Sequence, residues 1–185
     1  MIAAAQITDA ERIRAIKYLE ETQERYARLT SGLTEAQWKF KPAPERWSMA
    51  EIAEHLVVVE EVVFQQMKDA LNAPTAPEKK NTRRPDELIV RVVPDRSRKV
   101  QAPEPVVPAG RFTSSNETIA AFRKARGATI EFAQSSQADL RSHFVRHFAL
   151  GDLDIYQWLL FLPAHAERHL KQMEEVQADP AFPKP

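Results

Sequence analysis

Residues 154–176, DIYQWLLFLPAHAERHLKQMEEV, constrain the fold more than any other stretch of the chain. Trp158, Leu162, His165, His169, Met173 and Val176 recur at spacings of three and four, the period of one face of an amphipathic helix. Such a helix needs other elements to cover that face, and the face carries two histidines. One turn apart on the same side, His165 and His169 can turn their imidazoles toward a single point, as two ligands of one metal ion must. A third donor is available far upstream at His55, which lies in helical register between Ile52 and Val59. The spacing therefore predicts an internal site for one divalent ion on the inner stripes of two helices. A second reading stays open beside it. Inner-face histidines are commonly hydrogen-bonded core residues, and HxxxH lacks the intervening glutamate of the peptidase motif HExxH.

Composition limits the chemistry. With 185 residues the chain is long enough for one substantial core, and its four glycines argue against folds built on Gly-rich phosphate loops. Lys plus Arg balance Asp plus Glu at 26 each, which gives no electrostatic reason to bind nucleic acid. The basic pairs Lys79-Lys80, Arg83-Arg84 and Arg98-Lys99 read as a solvated loop. Cysteine is absent, so any metal must be held by imidazole, carboxylate or water, and no thiol nucleophile is intrinsic to the chain. The opening MIAAAQITDAERIRA lacks the basic and long apolar regions of a secretory signal. VVVEEVVF is interrupted by two glutamates and WLLFLPA is too short to span a bilayer. The expected location is cytoplasmic, with no membrane contact.

Along the chain, residues 9–30 carry the apolar spacing of a first helix, and Ser31-Gly32 ends it. Thr34 with Gln37 opens a short helical turn by a capping box, and Pro42 and Pro44 stop it. Ser48 with Glu51 is a second box, starting the helix of His55, which runs to about Leu71; Val57, Val58 and Val59 favour a strand, but the cap and the spacing outweigh them. Residues 72–110 form an excursion with prolines at 74, 77, 85, 94, 103, 105 and 108. Within it, residues 87–93 read as a short helix or an extended piece docked on the body. Ser114 with Glu117 introduces a helix to Ser135, and residues 139–153 form a connection. Asp154 with Gln157 caps the last helix, which Pro163 should bend, and the tail 177–185 should fray. Neither half can cover its own apolar helices, so residues 1–185 are expected to form a single domain with its core at 9–176. The fold class is all-α: an up-down four-helix bundle with a long proline-rich crossover between its second and third long helices.

Other residues are candidates for lesser roles. His143 and His147 could line the mouth of a site or dock their loop, and Arg141, Arg146 and Lys99 could contact a substrate or cofactor. Glu54 and Glu167 adjoin the histidines but point about 100° away around their helices, which makes them outer or surface residues. Trp38 and Trp47 read as lids on the bundle end.

GLTEAQWKFKPAPERWSMAEIAEHL and GDLDIYQWLLFLPAHAERHLKQMEEV together resemble the DinB-like superfamily of metal-binding four-helix proteins, which includes YfiT-like enzymes and S-transferases that use bacillithiol or mycothiol. VPDRSRKVQAPEPVVPAGRF is similar to the long connector of one branch, and the resemblance extends from about Ile13 to Val176. It implies a metal triad of His55, His165 and His169, binding zinc, nickel or iron. It also implies an enzyme acting on a small molecule, either a hydrolase using metal-bound water or a transferase using an external low-molecular-weight thiol. The alternative is a non-catalytic, stress-related protein whose ion stabilises the bundle. A homodimer through helix faces is favoured over a monomer.

Overall fold

The computed structural model describes residues 6–184. The reading of the opening segment falls in part on residues 1–5, which lie outside them. Among the described residues six α-helices form, in the order α1 (Asp9–Thr30), α2 (Glu35–Lys39), α3 (Met49–Leu71), α4 (Asp86–Val92), α5 (Ser115–Ser135) and α6 (Ile155–Gln177). Their starts follow from local chemistry. Thr8, Thr34, Ser48 and Asp154 each accept from the backbone N–H three residues on, while the side chain at that third position reaches back to the cap's own N–H. The box expected at Ser114 closes only halfway. Ser114 accepts from Glu117, but the Glu117 carboxylate takes the N–H of Thr113 instead.

The architecture is a helical bundle, with four long helices and an order around the ring that a simple up-down reading does not give. α1 packs on α5 and α6, and α3 packs on the same two helices, so sequence neighbours α1 and α3 face each other across a diagonal. Residues 31–48, with α2 inside them, are long enough to cross that diagonal, as are residues 136–154 between α5 and α6. A pair of charges sits at the centre. Arg126 of α5 donates from Nε and Nη2 to both carboxylate oxygens of Glu60 on α3, at 2.9 and 2.8 Å, and from Nη1 to the Leu19 carbonyl and Thr22 hydroxyl of α1. Both residues are 1% exposed.

Two expectations need correction. The chain between α3 and α5 is no bare proline-rich crossover: it contains 3-10 turns at Pro77–Asn81 and Glu104–Val106 with α4 between them. α4 packs on α6 and buries Ile89 fully. As a result the first ten residues of α6, Ile155 to Ala164, are buried all round, although their sequence reads as one-sided. Pro163 is accommodated inside this covered half. The stretch 139–153 also holds more than a connection. Phe144–His147 (β1) and Gly151–Asp154 (β2) pair antiparallel, with Val145 opposite Leu153 and His147 opposite Gly151. Gly151 takes a φ of 82°, a conformation L side chains rarely adopt.

Arg141 fastens this end of the molecule. It donates to Asp86 of α4, to Asp154 at the start of α6 and to Glu11 of α1, with its guanidinium over the Tyr156 ring. At the other end the tail is held. Gln37 donates to the Pro183 carbonyl at 3.0 Å, and Phe182 meets Phe40 edge to face. Among the described residues no helix is long and apolar enough to cross a membrane.

Candidate metal centre

Two helices deliver three imidazoles to one place. His55 lies in the second turn of α3, where the Ser48 cap sets the helix phase, and His165 and His169 lie one turn apart on α6. Their ring centroids are 5.2 Å apart for His55 and His165, and 4.6 Å apart for each of the other two pairs. One ligand nitrogen from each ring lies within 4.8 Å of the other two.

Hydrogen bonds decide which nitrogens face inward. The His55 Nδ1 lies 2.7 Å from the carbonyl of Val106, and that of His169 lies 2.8 Å from Oε1 of Gln172. A carbonyl or amide oxygen can only accept, so each Nδ1 carries the proton and each Nε2 presents a lone pair. The Nε2 atoms of His55 and His165 are 3.4 Å apart. Two nitrogens bound tetrahedrally to one zinc ion at ~2.0–2.1 Å stand about 3.3 Å apart, so this spacing fits a shared ion. His165 differs in two respects. Its Nδ1 is buried without a hydrogen-bond partner, while the residue remains partly open to solvent.

Burial lowers the pKa of His55, and lowers those of His165 and His169 well below the usual imidazole value. Neighbouring imidazoles and the Arg168 guanidinium push the two α6 rings in the same direction. All three are thereby kept neutral, the protonation state in which imidazole ligates a metal. Nitrogen-only donors on rigid helices suit zinc, nickel or ferrous iron.

The walls are aromatic. Trp47, read from sequence as a lid, lies with its ring centroid 4.8 Å from His55 and 6.0 Å from His169. Trp38 is instead buried in the core cluster around Ile52 and Met173. On the other side Phe161 stacks on His165 at 5.3 Å and meets His147 at 4.9 Å. His147 thus stands beyond Phe161, with its Nδ1 accepting from Ala149 and Leu150.

The remaining candidates lie elsewhere. His143 docks the hairpin by bonding the Ala70 carbonyl near the end of α3. Arg141 is taken up by carboxylates at Asp154, 11 residues before His165 and so ~16 Å along the helix. Arg146 is exposed on β1 opposite Asp152, and Lys99 is exposed in the connecting segment. Glu167 accepts from Tyr18 and pairs with Lys171, beside an open groove of about 340 Å³ on a face of α6 turned from the histidines. Glu54, taken from sequence as an outer or surface residue, is only 4% exposed. Its two carboxylate oxygens accept from the backbone N–H groups of Ala109 and Arg111, at 2.6 and 2.8 Å. Sequence reasoning missed Val106 and Gln172, the hydrogen-bond partners of the His55 and His169 rings. Only Gln172 left a trace, by standing one turn after His169.

Comparison with known proteins bears on the fold and the family. The chain is 27% identical over 146 residues to the uncharacterised protein YuaE of Bacillus subtilis (strain 168), covering 79% of this chain and 86% of YuaE. In fold it is similar to YfiT from Bacillus subtilis, described as a probable metal-dependent hydrolase with an unusual four-helix bundle topology. The TM-score is 0.61 at 10% identity, over 93% of this chain and 89% of that one. Residues 18–173, from α1 through most of α6, match the DinB superfamily, and the chain belongs to that family.

Proposed function

We propose that this protein is a metal-dependent enzyme acting on a small molecule, with His55, His165 and His169 holding one divalent ion. The observation that carries the reading is the convergence of three neutral imidazoles, two with their Nδ1 protons committed to oxygen acceptors and their Nε2 lone pairs free. A divalent ion held by three nitrogens keeps coordination positions open and supplies Lewis acidity together with a nucleophile, from water or from an external thiol. The chain's own residues fix the donors and shape the approach. Val106 and Gln172 set the tautomers, Trp47 covers His55 and His169, and the partly open side of His165, beside Phe161, is where a substrate enters. Absence of cysteine leaves hydrolysis as the version that needs no further cofactor, which the description of YfiT as a probable metal-dependent hydrolase also favours. In thiol transfer the same site takes a low-molecular-weight thiol from solution.

The test starts with elemental analysis of protein purified without chelators. We expect close to one divalent ion per chain, and a loss of most of it in His165→Ala and His169→Ala. Cobalt-substituted protein then separates the chemistries. A change in its visible spectrum on adding low-molecular-weight thiols selects transfer, whereas chelator-sensitive hydrolysis of ester or amide substrates with no thiol response selects hydrolysis. Metal bound in stoichiometric amount with neither response returns the protein to the non-catalytic reading, and wild type that takes up no metal removes the site.

A further inference from the structure

Resting on the proposed metal site, we infer that Gln172 and Arg96 are positioning residues for it, and that binding of the ion is thermodynamically linked to docking of residues 95–111. Gln172 follows His169 by one turn of α6, and its Oε1 stands between two groups. His169 Nδ1 is 2.8 Å away and the Nη1 of Arg96 is 3.4 Å away. A guanidinium has donors only, so the amide must turn its oxygen, not its nitrogen, into this gap. Oxygen there obliges His169 to carry its proton on Nδ1, leaving Nε2 for the ion. A reversed amide would favour the opposite tautomer.

Arg96 is itself held firmly. Its Nε and Nη2 donate to the two carboxylate oxygens of Glu175, at 2.6 and 2.7 Å. Arg168, beside His169 in sequence, donates to the carbonyls of Asp95 and Arg98 and pins the same stretch to α6. Further along, the Val106 carbonyl meets His55, and Glu54 fixes the backbone at Ala109 and Arg111. The outer partners of two ligand rings, on two different helices, therefore depend on one stretch of chain. If docking of that stretch raises affinity for the ion, the ion must stabilise docking by the same factor.

The experiment measures zinc affinity by competition with a chromophoric chelator, and amide hydrogen exchange of residues 95–111 with and without zinc. Far-UV circular dichroism and melting of the metal-free proteins confirm that each variant folds. Gln172→Leu, which removes the acceptor, should lower zinc affinity by roughly 10–100-fold, the usual effect of losing the partner of a ligand histidine. Gln172→Glu, which keeps an acceptor, should restore affinity to near that of wild type. Arg96→Met should weaken zinc binding and shrink the zinc-induced slowing of exchange across 95–111. Undiminished affinity in a folded Gln172→Leu overturns the positioning role, and exchange across 95–111 that ignores zinc overturns the linkage. Both results require wild type that binds zinc; wild type that binds none removes the metal reading itself.

Discussion

Two side chains show how much a single residue can carry in this bundle. Arg126 and Glu60 are fully buried and meet through two hydrogen bonds, and the remaining capacity of each is used by Thr22, Leu19 and Thr129. Removing one charge leaves the other in a dry interior. Arg126→Met should therefore cost about 3–5 kcal/mol in urea denaturation, and adding Glu60→Leu should recover a large part of it. A loss below about 1 kcal/mol for the single variant would mean that water or a rearranged partner replaces the guanidinium. His147 makes a different kind of statement. Its ring packs against Phe148, Trp158 and Phe161, and burial pushes its pKa down to about 4. In the unfolded chain it titrates near ~6.5. Between those values the unfolded state binds more protons, so this contribution to stability is complete above ~6.5 and is lost as the pH falls toward 4. The melting temperature should fall from pH 7 to pH 5, and His147→Phe should flatten that dependence. Equal slopes in the two proteins would show that the His147 ring is hydrated.

Among the elements, the connecting segment between α3 and α5 is held at its far end by one buried side chain, Glu54. Its carboxylate accepts from the N–H groups of both Ala109 and Arg111, so Glu54→Ala should free that backbone. We expect limited proteolysis to cut within 95–111 in the variant while wild type resists, with the helical circular dichroism signal retained. Equal resistance would place the hold on Arg96 and Arg168 instead. The long helices themselves were legible in sequence because their signals are local. Ser48 and Asp154 each announce a start within four residues, and apolar spacing carries the rest. What was not legible depends on distant partners. FVRH and GDLD are too short to show an alternating pattern, and their pairing depends on a turn at Gly151. Glu54 read as an outer residue because helical phase alone cannot reveal that another segment closes over it. His55, His165 and His169 were found because their own helical faces aim them inward, whereas Val106 offers only a backbone carbonyl, invisible to any residue pattern.

For the whole molecule, the placement of the site ties its chemistry to its stability. α3 and α6 are neighbours in the ring, and the three histidines bridge them beneath the segment that also joins α3 to α5. An ion bound there would link the two helices directly and, through Val106 and Gln172, the covering segment as well. The unfolded chain presents no such preformed site, so zinc should stabilise the folded state by about 2.7 kcal/mol when present at 100 times its Kd. For a chain of this size 1 kcal/mol corresponds to roughly 2–4 °C, which predicts a rise of about 5–10 °C in Tm on zinc addition and its reversal by chelator. The His55→Ala, His165→Ala, His169→Ala triple variant should melt at one temperature with or without zinc. This control matters because zinc bound at surface carboxylates would shift both proteins alike. Coincident melting of metal-free and zinc-treated wild type would mean that the imidazoles, despite their spacing, hold no ion and serve as packed core residues.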